Sequence, residues 1–102
     1  MEQHELLAEL FTALGHANRL KILAFLRDGE RCQCELPEAM KLEQSNISRH
    51  VKILVSAGIL RSRKDGTRTM LRVANPVILD LLDDTEKIAL DGLKTRIKAF
   101  VP

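Results

Sequence analysis

Apolar residues recur at intervals of three and four positions through most of the chain, a spacing that predicts amphipathic helices. The stripe over residues 3–14 predicts a first helix, and Gly15 suits its end. A second helix is expected to close at residues 28–29. The side chains expected to face inward from it are Leu20, Leu23, Ala24 and Leu26. A short third helix is predicted over residues 35–40, with Pro37 in its first turn, where backbone amides have no partner within the helix.

A change of periodicity marks the second half of the chain. Residues 43–57 predict a fourth helix, whereas residues 59–64 and 68–74 are short runs typical of strands. Asp65 and Gly66 stand between those runs, and an Asp-Gly pair is a strong signal for a tight hairpin turn.

The last apolar stripe predicts a helix that begins after Pro76 and runs towards Phe100, with Gly92 as a candidate kink. The resulting order, α-α-α-α-β-β-α, is mainly α with a β-hairpin wing, which is the order of a winged helix-turn-helix. Residues 1–102 are expected to form one such domain.

The two terminal helices are rich in Leu and Ile, and a chain this small has little core for them to cover. They are therefore expected to pair with a second copy. A two-fold dimer of this kind would place two DNA-binding helices about one DNA turn, ~34 Å, apart. The alternative is that both helices pack on the core of their own chain.

Positive charge is concentrated in the fourth helix and the hairpin. The whole chain carries +2, whereas residues 41–72 hold eight Lys and Arg against Glu43 and Asp65, so this segment carries +6. A helix that fits a DNA groove, followed by a basic two-stranded wing, predicts docking to double-stranded DNA. The chain has three Phe and no Trp or Tyr, which argues against the stacking surfaces that bind single-stranded nucleic acid.

The fourth helix has distinct faces if each residue turns by about 100°. Ile47, Val51 and Leu54 fall together and predict a buried seam, with His50 at its flank, expected to pack locally. The polar positions of this helix are candidate contacts to bases and phosphates: Ser45, Asn46, Ser48, Arg49 and Lys52. Arg49 suits a guanine edge and Asn46 an adenine edge.

The corresponding candidates in the hairpin, for phosphate or the minor groove, are Arg61, Arg63, Lys64, Thr67 and Arg68. The alternative is a solvated helix face beside a hairpin that only aids solubility.

The two cysteines, Cys32 and Cys34, stand together at the expected start of the third helix. Two thiolates can chelate a soft ion such as As(III), Sb(III), Cd(II), Pb(II) or Zn(II). Residues i and i+2 of a regular helix point about 200° apart, so chelation requires either a non-helical backbone here or the unwinding of the first turn of the helix. The alternative is a pair of small, half-buried residues at a helix start.

Several motifs resemble the ArsR/SmtB family of metal-responsive repressors over about residues 6–82. They are LGHANRLKIL at 14–23, ERCQCEL at 30–36, SNISRHVKIL at 45–54, AGIL at 57–60 and KDGTRTMLRV at 64–73. The resemblance implies a homodimeric repressor that binds a palindromic operator when metal-free and releases it on binding a metal or metalloid. Cys32 and Cys34 match the first two positions of the family's arsenic-type motif, C-x-C-x-x-C.

The sequence departs from the family pattern at three places. Pro37 occupies the third cysteine position and cannot ligate, so a third ligand has to come from the partner chain, His4, a carboxylate or a small thiol. No His follows His50, so the family's last-helix metal site is expected to be missing. Glu43 stands where the family often places a capping Ser; Glu caps poorly, although its charge suits the positive helix end.

These features favour a DNA-binding repressor released by a thiophilic ion at the cysteine pair, with no constitutive cofactor. Alternatives are a repressor whose cysteines form a redox switch, and a winged-helix module of protein assemblies without a metal inducer.

An enzyme is not expected, because no βαβ pattern surrounds the C-x-C pair and no Ser/His/Asp set or phosphate-binding Gly loop is evident. The apolar runs are too short to span a membrane and the acidic N-terminus does not resemble a signal peptide, so a cytoplasmic protein with reduced thiols and no membrane partner is expected.

Overall fold

The computed structural model describes residues 1–100, which form five α-helices and one three-stranded antiparallel sheet. The helices are α1 (Gln3–Leu14), α2 (Ala17–Phe25), α3 (Leu36–Met40), α4 (Gln44–Ser56) and α5 (Val77–Phe100), and the strands are β1 (Arg31–Cys32), β2 (Leu60–Asp65) and β3 (Arg68–Val73). Strand β3 lies between β1 and β2. The predicted order of five helices and a hairpin is confirmed, and Gly92 does not interrupt α5.

The segment around the cysteines differs from the prediction. Strand β1 was not expected; it pairs Arg31 with Leu71 and Cys32 with Met70. A 3-10 turn, Gln33–Glu35, then leads into α3, which begins at Leu36. A two-residue strand is too short to leave an alternating pattern in the sequence, so only its partner strand reveals it.

The hairpin turns one residue later than predicted. Asp65 pairs with Arg68, so Asp65 belongs to β2 and the two loop residues are Gly66 and Thr67. Gly66 has φ of 63°, a left-handed conformation that suits the first loop residue of a two-residue hairpin.

The core joins the end of α1, the helices α2, α3 and α4, and the sheet. Its most buried side chains are Ile22, Leu23, Leu26, Leu36, Ile47, Leu54, Ile59, Leu60 and Leu71. The predicted seam of α4 is confirmed, because Ile47, Val51 and Leu54 are all buried. Each fully buried side chain of this size stabilises the fold by about 1.5–3 kcal/mol, so the seam fixes which face of α4 points outward.

The prediction of which side chains face inward from α2 was partly wrong. Leu23 and Leu26 are buried as expected, but Leu20 is 40% exposed and Ala24 is also exposed. Both residues line an open cleft between α2 and α5, so the single chain leaves them uncovered.

The terminal helices carry large apolar side chains that the single chain leaves exposed. They are Leu6, Leu7 and Phe11 on α1 and Val77, Ile88, Leu90, Leu93 and Ile97 on α5. The alternative in which both helices only cover their own core does not account for these side chains. Among the described residues, no helix is both long enough and apolar enough to cross a bilayer.

Candidate DNA interface and cysteine centre

Helix α4 presents its predicted polar positions outward. Ser45, Ser48, Arg49 and Lys52 are exposed, and Asn46 is half-buried. Glu43 precedes the helix in an extended conformation, and within residues 1–100 its side chain makes no capping hydrogen bond. The first amides of α4 therefore lack a side-chain acceptor, which is the arrangement that an external phosphate oxygen can satisfy.

The predicted DNA-binding residues of the wing differ in whether their side chains are already engaged within the chain. Lys64, Thr67 and Arg68 are exposed near the tip, where Lys64 Nζ donates to Thr69 Oγ1 at 2.8 Å. Arg63 is engaged within the chain instead: its Nη2 lies 2.6 Å from Glu30 Oε1 and its Nε 2.9 Å from Glu30 Oε2. This ion pair lowers the pKa of Glu30 below its ordinary value and neutralises much of the charge that Arg63 was expected to offer DNA.

The two cysteines share one short segment but differ in exposure. Cys32 ends β1 in an extended conformation and is 2% exposed, whereas Cys34 lies in the 3-10 turn and is exposed. Because the backbone here is not α-helical, the side chains converge; the Cα atoms are 5.1 Å apart and the structure joins the sulfurs in a disulfide. The geometric condition for a joint site is met, although the pair is not present as the free thiols that the sequence led us to expect.

Backbone and ionic contacts hold this segment in place. The N–H of Cys34 donates to Cys32 Sγ at 3.2 Å, and the N–H of Cys32 donates to Glu35 Oε2 at 3.1 Å. Arg31 pairs with Glu35 at 2.9 Å and stacks over the Phe25 ring at 4.1 Å. The hydrogen bond from Arg31 is the main cause that lowers the pKa of Glu35, so this carboxylate stays charged and keeps its hold on the Cys32 amide.

The cysteine segment contacts both elements that the sequence predicts to face DNA. Through β1 it is an edge strand of the wing sheet, with Cys32 opposite Met70. Through the intervening Gln33 it reaches α4, because Gln33 Nε2 donates to Ser48 Oγ at 3.4 Å. Gln33 was not among the predicted site residues, since no spacing rule relates it to Ser48.

A cleft of about 390 Å³ opens where these three parts meet. Its walls are Cys32, Gln33, Cys34 and Pro37 from the cysteine segment, Gln44 and Ile47 from α4, and Thr67, Arg68 and Thr69 from the wing. Within residues 1–100 no group of three or more His, Cys, Asp or Glu side chains is arranged to hold a metal ion. Only after reduction to thiolates would the two sulfurs be ligands of the type that a thiophilic ion prefers, and the described residues of one chain do not complete a trigonal or tetrahedral set.

His50 packs locally, as expected, instead of facing the groove side of α4. Its Nδ1 lies 3.3 Å from Arg19 Nη1, and its ring centroid lies 4.5 Å from that of His16, which caps α2 by accepting from the N–H of Asn18. Burial is the largest cause that lowers the pKa of His50, followed by the nearby charges of His16, Arg19 and Arg49.

Comparison with known proteins places these features in a family context. The family model described as bacterial regulatory protein, arsR family, matches residues 16–62. An uncharacterised HTH-type transcriptional regulator of Methanocaldococcus jannaschii is 36% identical over 83 residues, which is 80% of this chain and 93% of that protein. A probable mercury resistance operon repressor of Streptomyces lividans is 34% identical over 85 residues, covering 83% of this chain and 68% of that protein.

A solved structure shares the architecture. The solution structure of the homodimeric winged helix-turn-helix DNA-binding domain Mb0332 of Mycobacterium bovis, described as a possible ArsR-family regulator, superposes with a TM-score of 0.79 at 27% identity. The match covers 89% of this chain and 84% of that one. The predicted winged helix-turn-helix fold is thereby confirmed.

Proposed function

Because this chain belongs to the arsR family of bacterial regulatory proteins, we propose that it is a homodimeric repressor that leaves its operator when the chemistry of Cys32 and Cys34 changes. It is a transcriptional regulator and not an enzyme. The observation that carries the proposal is the position of the cysteine segment, which is a strand of the wing sheet and also touches α4. A change at the cysteines therefore acts directly on both DNA-facing elements.

DNA contact is assigned to α4 and the wing. Helix α4 enters the major groove, with Arg49 and Asn46 at base edges and Ser45, Ser48 and Lys52 at phosphates or single bases. At the wing tip, Lys64, Thr67 and Arg68 face the DNA backbone or the minor groove. Arg63 reaches phosphate only if its ion pair with Glu30 opens, so its first role is to hold β2 to the residue that precedes β1.

The dimer is assigned to α1 and α5. Both helices expose apolar side chains, and a cleft of about 450 Å³ between α2 and α5 is lined by Leu20, Ala24, Leu82 and Ala89 among others. A second copy would cover this apolar surface, and the M. bovis relative is described as a homodimer. Two-fold pairing would present two α4 helices to a palindromic operator in the cytoplasm.

The inducer is assigned to the class of thiophilic ions, As(III), Sb(III), Cd(II), Pb(II) or Zn(II), held by Cys32 and Cys34. Once the disulfide is reduced, Cys32 and Cys34 would both hold such an ion as thiolates, and the shared ion would fix the distance between the two sulfurs. The Streptomyces relative, named as a probable mercury resistance repressor, supports this class. Since no third ligand is gathered within residues 1–100, the remaining ligand comes from the partner chain or from a solute.

A redox input is the second candidate, and the convergence of the two sulfurs favours it. Here the dithiol form binds DNA and the disulfide form releases it, with no ion required. Because both inputs use the same segment, the same path to α4 and the wing transmits either signal.

The test is a DNA-binding assay on the gene's own upstream region, repeated with soft metals, metalloids and oxidants. The double variant Cys32→Ser/Cys34→Ser should bind DNA normally but no longer release it. Retained release by the double variant would place the inducer elsewhere, and a purified monomer that ignores its own promoter would overturn the repressor proposal. Thiol titration and mass spectrometry after each treatment separate ion binding from disulfide formation.

A further inference from the structure

The cleft beside the cysteine pair indicates a further reactant. Its volume of about 390 Å³ falls in the range of small-molecule sites, ~300–1,000 Å³, and its walls combine sulfur, hydroxyl, amide and guanidinium groups. We propose that it admits a low-molecular-weight thiol that carries a carboxylate, or the disulfide of such a thiol, and that this solute exchanges with Cys34. The inference rests on the proposed function in one respect only, the effect of the exchange on DNA binding.

Access selects Cys34 as the sulfur that reacts with the solute. Cys34 is exposed at the cleft, whereas Cys32 is 2% exposed. The backbone N–H of Cys34 donates to Cys32 Sγ at 3.2 Å, and a hydrogen bond of this kind stabilises negative charge on the acceptor sulfur. Cys32 is therefore the sulfur that leaves as a thiolate when an external thiol attacks Cys34, because exchange depends on both access and leaving group.

The oxidising direction takes two steps. The Cys34 thiolate attacks one sulfur of the solute disulfide, so that a bond between Cys34 and the solute forms, the solute S–S bond breaks and one solute thiolate leaves. The Cys32 thiolate then attacks Cys34 Sγ, which forms the Cys32–Cys34 bond and expels the second solute thiolate. Two electrons pass from the cysteine pair to the solute, and the reverse sequence reduces the pair with two solute thiols.

Charge selects an anionic solute. Arg68 lines the cleft from the wing and is exposed. Glu35, a carboxylate of the cysteine segment, is itself engaged by Arg31 at 2.9 Å and by the Cys32 amide at 3.1 Å. A carboxylate carried by the solute can therefore pair with Arg68 while its sulfur meets Cys34, and the hydroxyls of Thr67 and Thr69 complete the polar wall.

The adduct would stand where DNA is expected. The cleft separates Gln44, at the start of α4, from the wing tip at Thr67. An anionic group fixed there adds bulk and negative charge between two elements assigned to the phosphate backbone, so it weakens DNA binding.

The test uses Cys32→Ser, in which an adduct on Cys34 cannot be displaced, and Cys34→Ser as its counterpart. Each variant is incubated with dithiodipropionate, bis(hydroxyethyl) disulfide or cystamine, which are anionic, neutral and cationic, and adducts are timed by intact-mass spectrometry. Cys32→Ser should gain one adduct, with the anionic reagent about fivefold faster than the neutral one, the effect of one exposed ion pair in water. Cys34→Ser should gain none in the same period. Cys32→Ala replaces Cys32→Ser if the buried hydroxyl unfolds the domain.

The charge preference has its own control. Arg68→Gln in the Cys32→Ser background should remove the preference for dithiodipropionate, whereas Arg61→Gln, outside the cleft walls, should keep it. Equal labelling of the two cysteine variants, equal rates for the three reagents, or a preference that survives Arg68→Gln would each overturn the proposal.

Adduct formation is measured without DNA, so its failure is distinct from failure of the repressor proposal. Fluorescence anisotropy with operator DNA then compares Cys32→Ser before labelling, after labelling and after reduction. Binding lost on labelling and restored by reductant supports the regulatory role; unchanged binding overturns that role. A protein that labels as expected but never binds DNA overturns the proposed function alone.

Discussion

Residues of the same type differ in their contacts and exposure in this protein because their neighbours differ. Arg49 projects from α4 as an exposed side chain, whereas Arg63 is held by Glu30 at 2.6 Å. Cys32 and Cys34 are two positions apart, yet one is buried and the other is exposed. Residue type and spacing identify these groups as candidates, and the contacts of each side chain decide which candidate is available to a ligand.

Arg49→Ala should remove operator preference while leaving the dimer intact. A bidentate contact between Arg and guanine contributes about 1–3 kcal/mol of discrimination between bases. The ratio of operator affinity to random-sequence affinity, measured by competition at fixed salt, should fall by the factor that corresponds to this loss of free energy. Lys52→Ala is the matched control on the same helix and should weaken binding to all sequences about equally. An unchanged footprint for Arg49→Ala would remove Arg49 from the set of base contacts.

His50 should make the fold sensitive to acid. Burial and the neighbouring His16, Arg19 and Arg49 lower its pKa in the folded state below the ordinary 6.5. The unfolded chain therefore takes up this proton first as the pH falls. Neutral His50 therefore contributes its full stability above pH 6.5. This contribution is lost as the pH falls from 6.5 through the lower pKa of the folded state.

Thermal unfolding across a pH series measures this effect. His50→Gln should show a smaller fall in Tm on acidification than the wild type. His4→Gln, which removes an exposed histidine from α1, controls for the loss of one imidazole. Parallel pH profiles of Tm for the wild type and His50→Gln would show that His50 does not carry the acid sensitivity.

At the scale of elements, the segment from β1 to α3 is the junction of the domain. Strand β1 adds the cysteines to the wing sheet, and Gln33 connects the same segment to Ser48 on α4. The bond between Glu30 and Arg63 ties β2 to the residue just before β1. A displacement of this segment would therefore act on the wing and on α4 together.

Gln33→Ala should weaken the coupling between the cysteines and DNA. The variant loses the bond to Ser48, and one hydrogen bond contributes about 1 kcal/mol net. The ratio of DNA affinities before and after inducer treatment should fall by no more than about fivefold, with affinity before treatment nearly unchanged. Gln3→Ala, a surface glutamine of α1, is the control. A response identical to wild type would leave the wing sheet as the sole route.

At the scale of the whole molecule, the single chain leaves part of its apolar surface uncovered. Its core is formed by the end of α1, by α2, α3 and α4, and by the sheet, while the rest of α1 and the outer part of α5 keep apolar side chains in contact with solvent. Exposed apolar surface of this extent is the mark of an interface. The proposed dimer would cover the exposed side chains of the terminal helices and would also set the spacing of its two α4 helices.

Leu93→Glu should dissociate the dimer. Leu93 lies in the apolar stripe of α5 and is 44% exposed in the single chain. Burying such a side chain contributes about 1.5–3 kcal/mol per copy, and a buried carboxylate adds a desolvation penalty. Sedimentation should show a monomer that is folded and binds operator DNA weakly. Lys94→Glu, at the adjacent position outside the stripe, should remain dimeric; a dimeric Leu93→Glu protein would contradict the assigned interface.

The sequence by itself determined the order of the helices and the hairpin, because periodicity of apolar residues and turn chemistry are local properties. The burial of Ile47, Val51 and Leu54 and the turn at Gly66, to within one residue, follow from those rules. The cluster of basic residues on α4 and the wing was visible for the same reason, since adjacent elements carry it.

Only the tertiary structure decided which of these groups are engaged and which meet. Strand β1 exists because β3 offers it a partner, and the contacts of Gln33 with Ser48 and of Arg63 with Glu30 join residues 15 and 33 positions apart. The cleft beside Cys34 likewise depends on how the wing and α4 are placed around the cysteine segment. Contacts across such separations are set by packing, on which spacing along the chain carries no information.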